Sequence, residues 1–163
     1  MTGVAGVLRS QHHDHDDHSA LERMKRYALL VLPSANRVYA RAASALTVTE
    51  LGVLGGTVLA GRLGEARPEQ VAGVEYVTFE GDLDPGALAH VANVSTAFAV
   101  FERTSEDAFK PVSLDRLDCL DDDLLTILKY QGKTNELFTK LLLNVTVLAS
   151  QSAGRMLTDR LRV

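Results

Sequence analysis

Arg26 to Leu32 reads RYALLVL, an almost unbroken apolar run that stops at Pro33. A run of this kind predicts a central strand buried on both faces. Ser34 then offers a helix N-cap, and Val38, Ala42, Leu46 and Thr49 recur at helical spacing until Gly55 and Gly56 stop the segment. Further along, a weaker strand is expected near Thr57 to Leu63, followed by a turn-rich stretch to Gln70. A stronger strand is expected from Val71 to Glu80, where Val77 and Phe79 alternate with Tyr76 and Thr78. These two strands are predicted to pair as a hairpin. Asp84 can cap a second helix, Pro85 suits its first position, and Leu88, Val91 and Ala92 supply an apolar stripe. Ala97 to Glu102 (AFAVFE) predicts another strand, and Lys110 to Leu114 either continues the sheet or connects it onward. The order β-α-β-β-α-β predicts an α/β protein of the α+β kind. Its expected form is a ferredoxin-like antiparallel sheet with two helices on one face.

Composition agrees with a folded domain. The 163 residues carry a formal charge of −4, with 46% hydrophobic and 23% charged side chains, so a real core can form and bulk disorder is excluded. No apolar run reaches the roughly 18 to 20 residues of a membrane span, and no leader pattern follows Met1. The expectation is a cytoplasmic protein without membrane contact. A single cysteine, Cys119, excludes an internal disulfide and a multi-cysteine zinc site.

Three segments are expected. Residues 1–23 form a disordered His/Asp-rich tail, in which Gln11 to Ser19 (QHHDHDDHS) holds four of the five histidines. His13, Asp17 and His18 would be metal ligands on a helix, but without an apolar framework to fix them no functional metal site is expected. Met24 is an alternative start. Residues 24–116 form the ferredoxin-like domain. Residues 117–163 form a linker opening on the acidic LDCLDDD, then an amphipathic helix, then the start of a truncated strand at Arg160 to Val163 (RLRV). A half-made strand suggests a piece of a longer protein. Charge divides along the same line: residues 1–125 hold 11 basic and 19 acidic side chains, and residues 126–163 hold 6 and 2.

Catalytic signatures such as a phosphate loop, a nucleophile elbow or HExxH are absent, and Gly52, Gly55 and Gly56 lack dinucleotide-fingerprint spacing. Asp121 to Asp123 read as a solvated turn. The sequons at Asn93 and Asn144 read as accidental in a protein without a secretion signal. Lys129 to Thr139 (KYQGKTNELFT) is richer. Thr134 is expected to cap a helix, with Glu136 favouring its positive end and Leu137, Phe138, Leu141, Leu142, Val145 and Leu148 on one face, ending at Gly154. Thr134, Asn135, Lys133 and the first-turn N–H groups can bind an anion. The plainer reading of the same residues, which chemistry alone favours, is a well-capped helix after a flexible loop.

KYQGKTNELFTKLLLNVTVLAS (residues 129–150), RMLTDRLRV (155–163), RYALLVLPSANRVYA (26–40) and FKPVSLDRLDCLDDDLLTI (109–127) resemble the N-terminal half of a bacterial family. The family comprises SAM-dependent methyltransferases related to the THUMP-associated tRNA guanine methyltransferases, and the resemblance covers about residues 25–163. It implies a first Rossmann strand leading into Asp-Pro-x-Cys-Gly-x-Gly-Thr, then an Asp/Asn-Pro-Pro-Tyr motif that positions the target amine. Neither motif is in this sequence, so the chain by itself is expected to bind no cofactor and transfer no methyl group. By the same resemblance Lys133, Thr134, Asn135, Phe138 and Thr139 would lie beside the S-adenosylmethionine pocket of the complete enzyme. Leu137, Leu141, Leu142, Val145 and Leu148 would be partly exposed here and would dock a catalytic Rossmann half, in cis or as a separate chain. RNA is the implied substrate, although the acidic residues 1–125 argue against strong phosphate binding. The alternative is a stand-alone ferredoxin-like module that self-associates through the same helix.

Overall fold

The computed structural model describes residues 24–34, 36–106, 108–113, 135–156 and 158. Its strands are β1 (Lys25–Val31), β2 (Arg67–Val71), β3 (Val74–Gly81), β4 (Ala97–Arg103) and β5 (Phe109–Pro111). Its helices are α1 (Arg37–Gly56), α2 (Pro85–Ala92) and α3 (Glu136–Leu148), followed by a 3-10 turn at Ala153–Arg155. The protein is α+β. All strand pairings are antiparallel, in the spatial order β2-β3-β1-β4-β5, so the apolar run quoted first lies at the centre of the sheet. Tyr27, Ala28 and Leu29 are all buried there, as expected of a strand covered on both faces.

One face of the sheet, carrying Tyr27, Leu29, Val77, Phe79 and Val100, packs with Leu51 and Leu54 of α1 and Val91 of α2. Leu148 of α3 and Met156 belong to the same cluster. The third helix is therefore part of this core and not an appendage to it. The boundary expected at 116/117 and the candidate strand at 160–163 lie outside the described residues, as does the His/Asp tail. Among the described residues no helix is long and apolar enough to cross a membrane.

Several local expectations are corrected. Asn36, not Ser34, caps α1, its side-chain oxygen accepting from the N–H groups of Val38 and Tyr39 at 3.0 and 3.1 Å. The buried residues of α1 are Tyr39, Ala43, Ser44, Thr47, Glu50, Leu51 and Leu54, one row over from the expected one, and Val38 is 81% exposed. In a helix this rich in alanine and valine two neighbouring rows are apolar, and contact with the sheet chooses between them. The strand expected at Thr57 to Leu63 is a series of turns with one isolated bridge, Leu63 to Gly81.

The partner of β3 is instead β2, whose sequence RPEQV resembles a turn. β2 is an edge strand, where the missing N–H of Pro68 costs no ladder bond. Its hairpin closes through Ala72 (φ 51°) and Gly73 (φ 80°), a two-residue turn with both central residues left-handed. Asp84 caps α2 as expected, accepting from the Ala87 N–H at 2.8 Å, with Pro85 in the first position. The stretch expected at Lys110 to Leu114 does continue the sheet, as β5 on the β4 edge. Asn135 is the N-cap of α3, while Thr134 lies outside the described residues. α3 ends at Leu148, before Gly154, which sits in the 3-10 turn.

Candidate functional site

The residues of α1 that face inward are apolar except at Ser44, Thr47 and Glu50, of which Thr47 and Glu50 are fully buried. A buried carboxylate is tolerable only when donors replace its water. Glu50 receives four hydrogen bonds. The Ser95 N–H reaches both oxygens at 3.1 and 3.0 Å, the Ser95 hydroxyl donates to Oε2 at 2.6 Å, and Asn144 Nδ2 donates to Oε1 at 2.7 Å. Asn144, itself 2% exposed, also donates from Nδ2 to the Asn93 carbonyl at 2.8 Å. Asn93 Nδ2 returns to Asn144 Oδ1 at 3.4 Å. Beside the cluster Thr47 donates to the Ala43 carbonyl at 2.7 Å and shares a hydroxyl–hydroxyl bond with Thr96. One carboxylate thus joins α1, the turn between α2 and β4, and α3.

Burial pushes the Glu50 carboxyl above its ordinary value of 4.5, opposed by the Ser95 hydroxyl, the Asn144 amide, the Ser95 N–H and the charge of Lys140. From about pH 4.5 up to its raised native value, the folded chain therefore holds this proton more firmly than the unfolded chain does. Stability conferred through this group is greatest below pH 4.5 and falls as pH rises through that interval. Glu50→Gln removes the titration. Thermal melts over a pH series should show the parent losing stability relative to Glu50→Gln as pH rises from about 4.5, then a constant difference; a difference independent of pH would contradict the assignment.

A cavity of about 10 Å³, lined by Glu50, His90, Asn93, Asn144, Leu148 and Met156, adjoins the cluster. It has room for about one water molecule and for no organic substrate. Among the described residues, His90 Nδ1, Ser44 Oγ and the Tyr39 hydroxyl are buried without a hydrogen-bond partner, and burial pushes the His90 imidazole below its ordinary value of 6.5. A serine hydroxyl against a carboxylate has the ingredients of an activated nucleophile. Ser95 is only 3% exposed, however, so the arrangement works as an internal clamp.

The opposite face of the sheet carries a different grouping. Tyr76 stacks on Phe109 at 5.2 Å between centroids, Phe101 meets both rings edge-on, and the Arg103 guanidinium lies 5.7 Å from the Phe109 centroid. Arg103 Nη1 donates to both oxygens of Glu69 at 2.8 Å, holding that carboxyl below its ordinary value. The rings occupy one another's faces. The cluster joins the two sheet edges to the centre and adds little through its ion pair.

Of the side chains that the family resemblance would put beside a methyl-donor pocket, Asn135, Phe138 and Thr139 lie among the described residues, and Lys133 and Thr134 do not. Asn135 accepts from the Phe138 N–H at 3.1 Å and donates to Ser34 at 3.4 Å. Thr139 donates to the Asn135 carbonyl at 3.2 Å, and Phe138 packs edge-on against Tyr39. All three contribute to starting α3 and seating it on α1. Of the candidate docking leucines and valine, Leu141 and Leu148 are 8% and 4% exposed within this chain, correcting the expectation that they await a partner. Leu137 and Val145 are half-buried, and Leu142 is exposed. Among the described residues no cluster of three potential metal ligands occurs, and His13, Asp17 and His18 lie outside them.

Sequence reasoning missed Glu50, Ser95 and Asn144. A signal existed: Asn144 stands three residues after Leu141 and four before Leu148, on an otherwise apolar stripe, where a polar residue needs a buried partner. Comparisons with protein-family models, curated proteins and solved structures returned no match.

Proposed function

We propose that this chain is the N-terminal accessory part of a class I SAM-dependent methyltransferase, acting in the cytoplasm to position an RNA substrate and to hold the catalytic Rossmann half in place. The observation that carries this reading is the anchoring of α3. In the family that residues 129–150 resemble, this helix immediately precedes the first Rossmann strand, and here Asn144–Glu50 and Asn135–Ser34 seat it against the α+β domain. A domain built this way delivers the following unit in a set orientation. The first four strands and two helices support a ferredoxin-like plan: the chain order is β-α-β-β-α-β, and β3 lies between β1 and β2. β5 is an addition to it. S-adenosylmethionine would bind in the complete enzyme through the glycine loop of the catalytic half.

The test is to read the coding DNA through Val163 and onward in all three frames, then to express the longer product. An Asp-Pro-x-Cys-Gly-x-Gly-Thr segment is expected, with labelled methyl transfer to RNA by the longer protein and none by the 163-residue chain. No such segment in any frame overturns the reading. Exposure of Leu142 (49%) and Leu143 (37%) favours a second reading, a self-associating module without catalysis. A dimer that persists on dilution in light scattering would support it.

A further inference from the structure

α3 turns an asparagine into the protein and two leucines away from it. Asn144 is 2% exposed while Leu142 and Leu143 are 49% and 37% exposed, the reverse of what apolar burial alone would select. In the sequence LLLNV the neighbours of Asn144 are all apolar, and one residue corresponds to a rotation of about 100°. A one-residue turn of α3 that brought Val145 to the Asn144 position would put Leu142 and Ala149 where Leu141 and Leu148 now stand and remove a polar group from the interface, whereas the opposite turn would carry Lys140 inward in place of Leu141. Apolar packing alone does not separate the first of these faces from the observed one. The polar partners do: with any other residue at that point, Glu50 loses a donor at 2.7 Å and the Asn93 carbonyl loses one at 2.8 Å. Asn144 cannot flip its amide to serve them otherwise, because Nδ2 donates to both and Oδ1 faces Asn93 Nδ2.

We propose that Glu50 and Asn144 form a register lock that sets the rotation of α3 on α1 and so presents Leu142 and Leu143 outward. The lock follows from geometry within this chain and is independent of which partner, if any, meets those leucines. Both residues are positioning residues, acting through the helix they orient. Buried polar pairs that fix register at the expense of apolar contact are an established use of such groups.

The test is NMR on the full chain, using resonances of α3 and the NOE between the Tyr39 and Phe138 rings, which meet at 6.5 Å in the locked register. In Asn144→Leu and Glu50→Leu the sheet resonances should stay in place while those of α3 multiply or broaden and the ring NOE is lost. Glu50→Gln, whose carbonyl still accepts from Asn144, should keep one set of α3 resonances and the NOE. A single α3 set with an intact NOE in either leucine variant would overturn the lock. So would loss of the NOE in Glu50→Gln as complete as in Glu50→Leu. A leucine variant that fails to fold would overturn it as well, because the pair would then be a general support of the fold and not a selector of register.

Discussion

Leu51→Ala is expected to lower the free energy of unfolding by about 3 to 4 kcal/mol, the middle of the range for a buried leucine cut back to alanine. Leu51 is fully buried in the cluster that joins α1 to the sheet face of Tyr27, Leu29 and Phe79. The sheet's hydrogen bonds hold one wall of the site and the 20-residue α1 the other, so collapse around the lost methyl groups is limited. Urea denaturation should show an earlier midpoint with an unchanged slope, which marks lost stability and not a changed unfolded state. A loss below about 1 kcal/mol would mean that the site closes freely and that α1 is loosely seated.

Glu50→Ala should cost about 3 kcal/mol, because it strands buried donors that cost about 1 to 3 kcal/mol each when left unsatisfied. The truncated side chain would leave the Ser95 N–H, the Ser95 hydroxyl and one Asn144 N–H without the acceptor they now share, each in a region closed to bulk water. Relief from burying the carboxylate offsets part of that loss, because burial disfavours its ionised form. Glu50→Gln keeps the shape and an acceptor for Asn144, so its cost should be only about 1 kcal/mol. Equal losses for alanine and glutamine would show that charge, and not the shared acceptor, is what the site requires.

Both effects concern residues with unequal visibility in the sequence. Leu51 falls on a helical row that periodicity finds within one residue. Glu50, flanked by Thr49 and Leu51, looks like an ordinary helix-surface acid. Its partner Asn144 lies 94 residues away, so no local pattern connects them. The two candidate strands around the turn-rich stretch show the same limit. Thr57 to Leu63 has the better strand composition, yet RPEQV pairs with β3 because an edge position accepts Pro68 and the Ala72–Gly73 turn sets a tight register.

What the sequence by itself determined are features whose causes span a few residues. The unbroken apolar run of β1 demanded burial on both faces. Asp84 and Pro85 set the start of α2 through one side-chain acceptor and one ring-fixed φ. The alternation of sheet and helix periods placed β1, α1, β3, α2 and β4 in their chain order, but put the second strand at Thr57 to Leu63, which forms turns. Tertiary structure alone decided which of two apolar rows of α1 faces the sheet, which segment pairs with β3, and which face of α3 turns inward. The physical reason is common to all three: local preferences there are nearly degenerate, and the choice falls to groups brought together across the chain. For α3 that group is a buried carboxylate on α1, which accepts a hydrogen bond from Asn144.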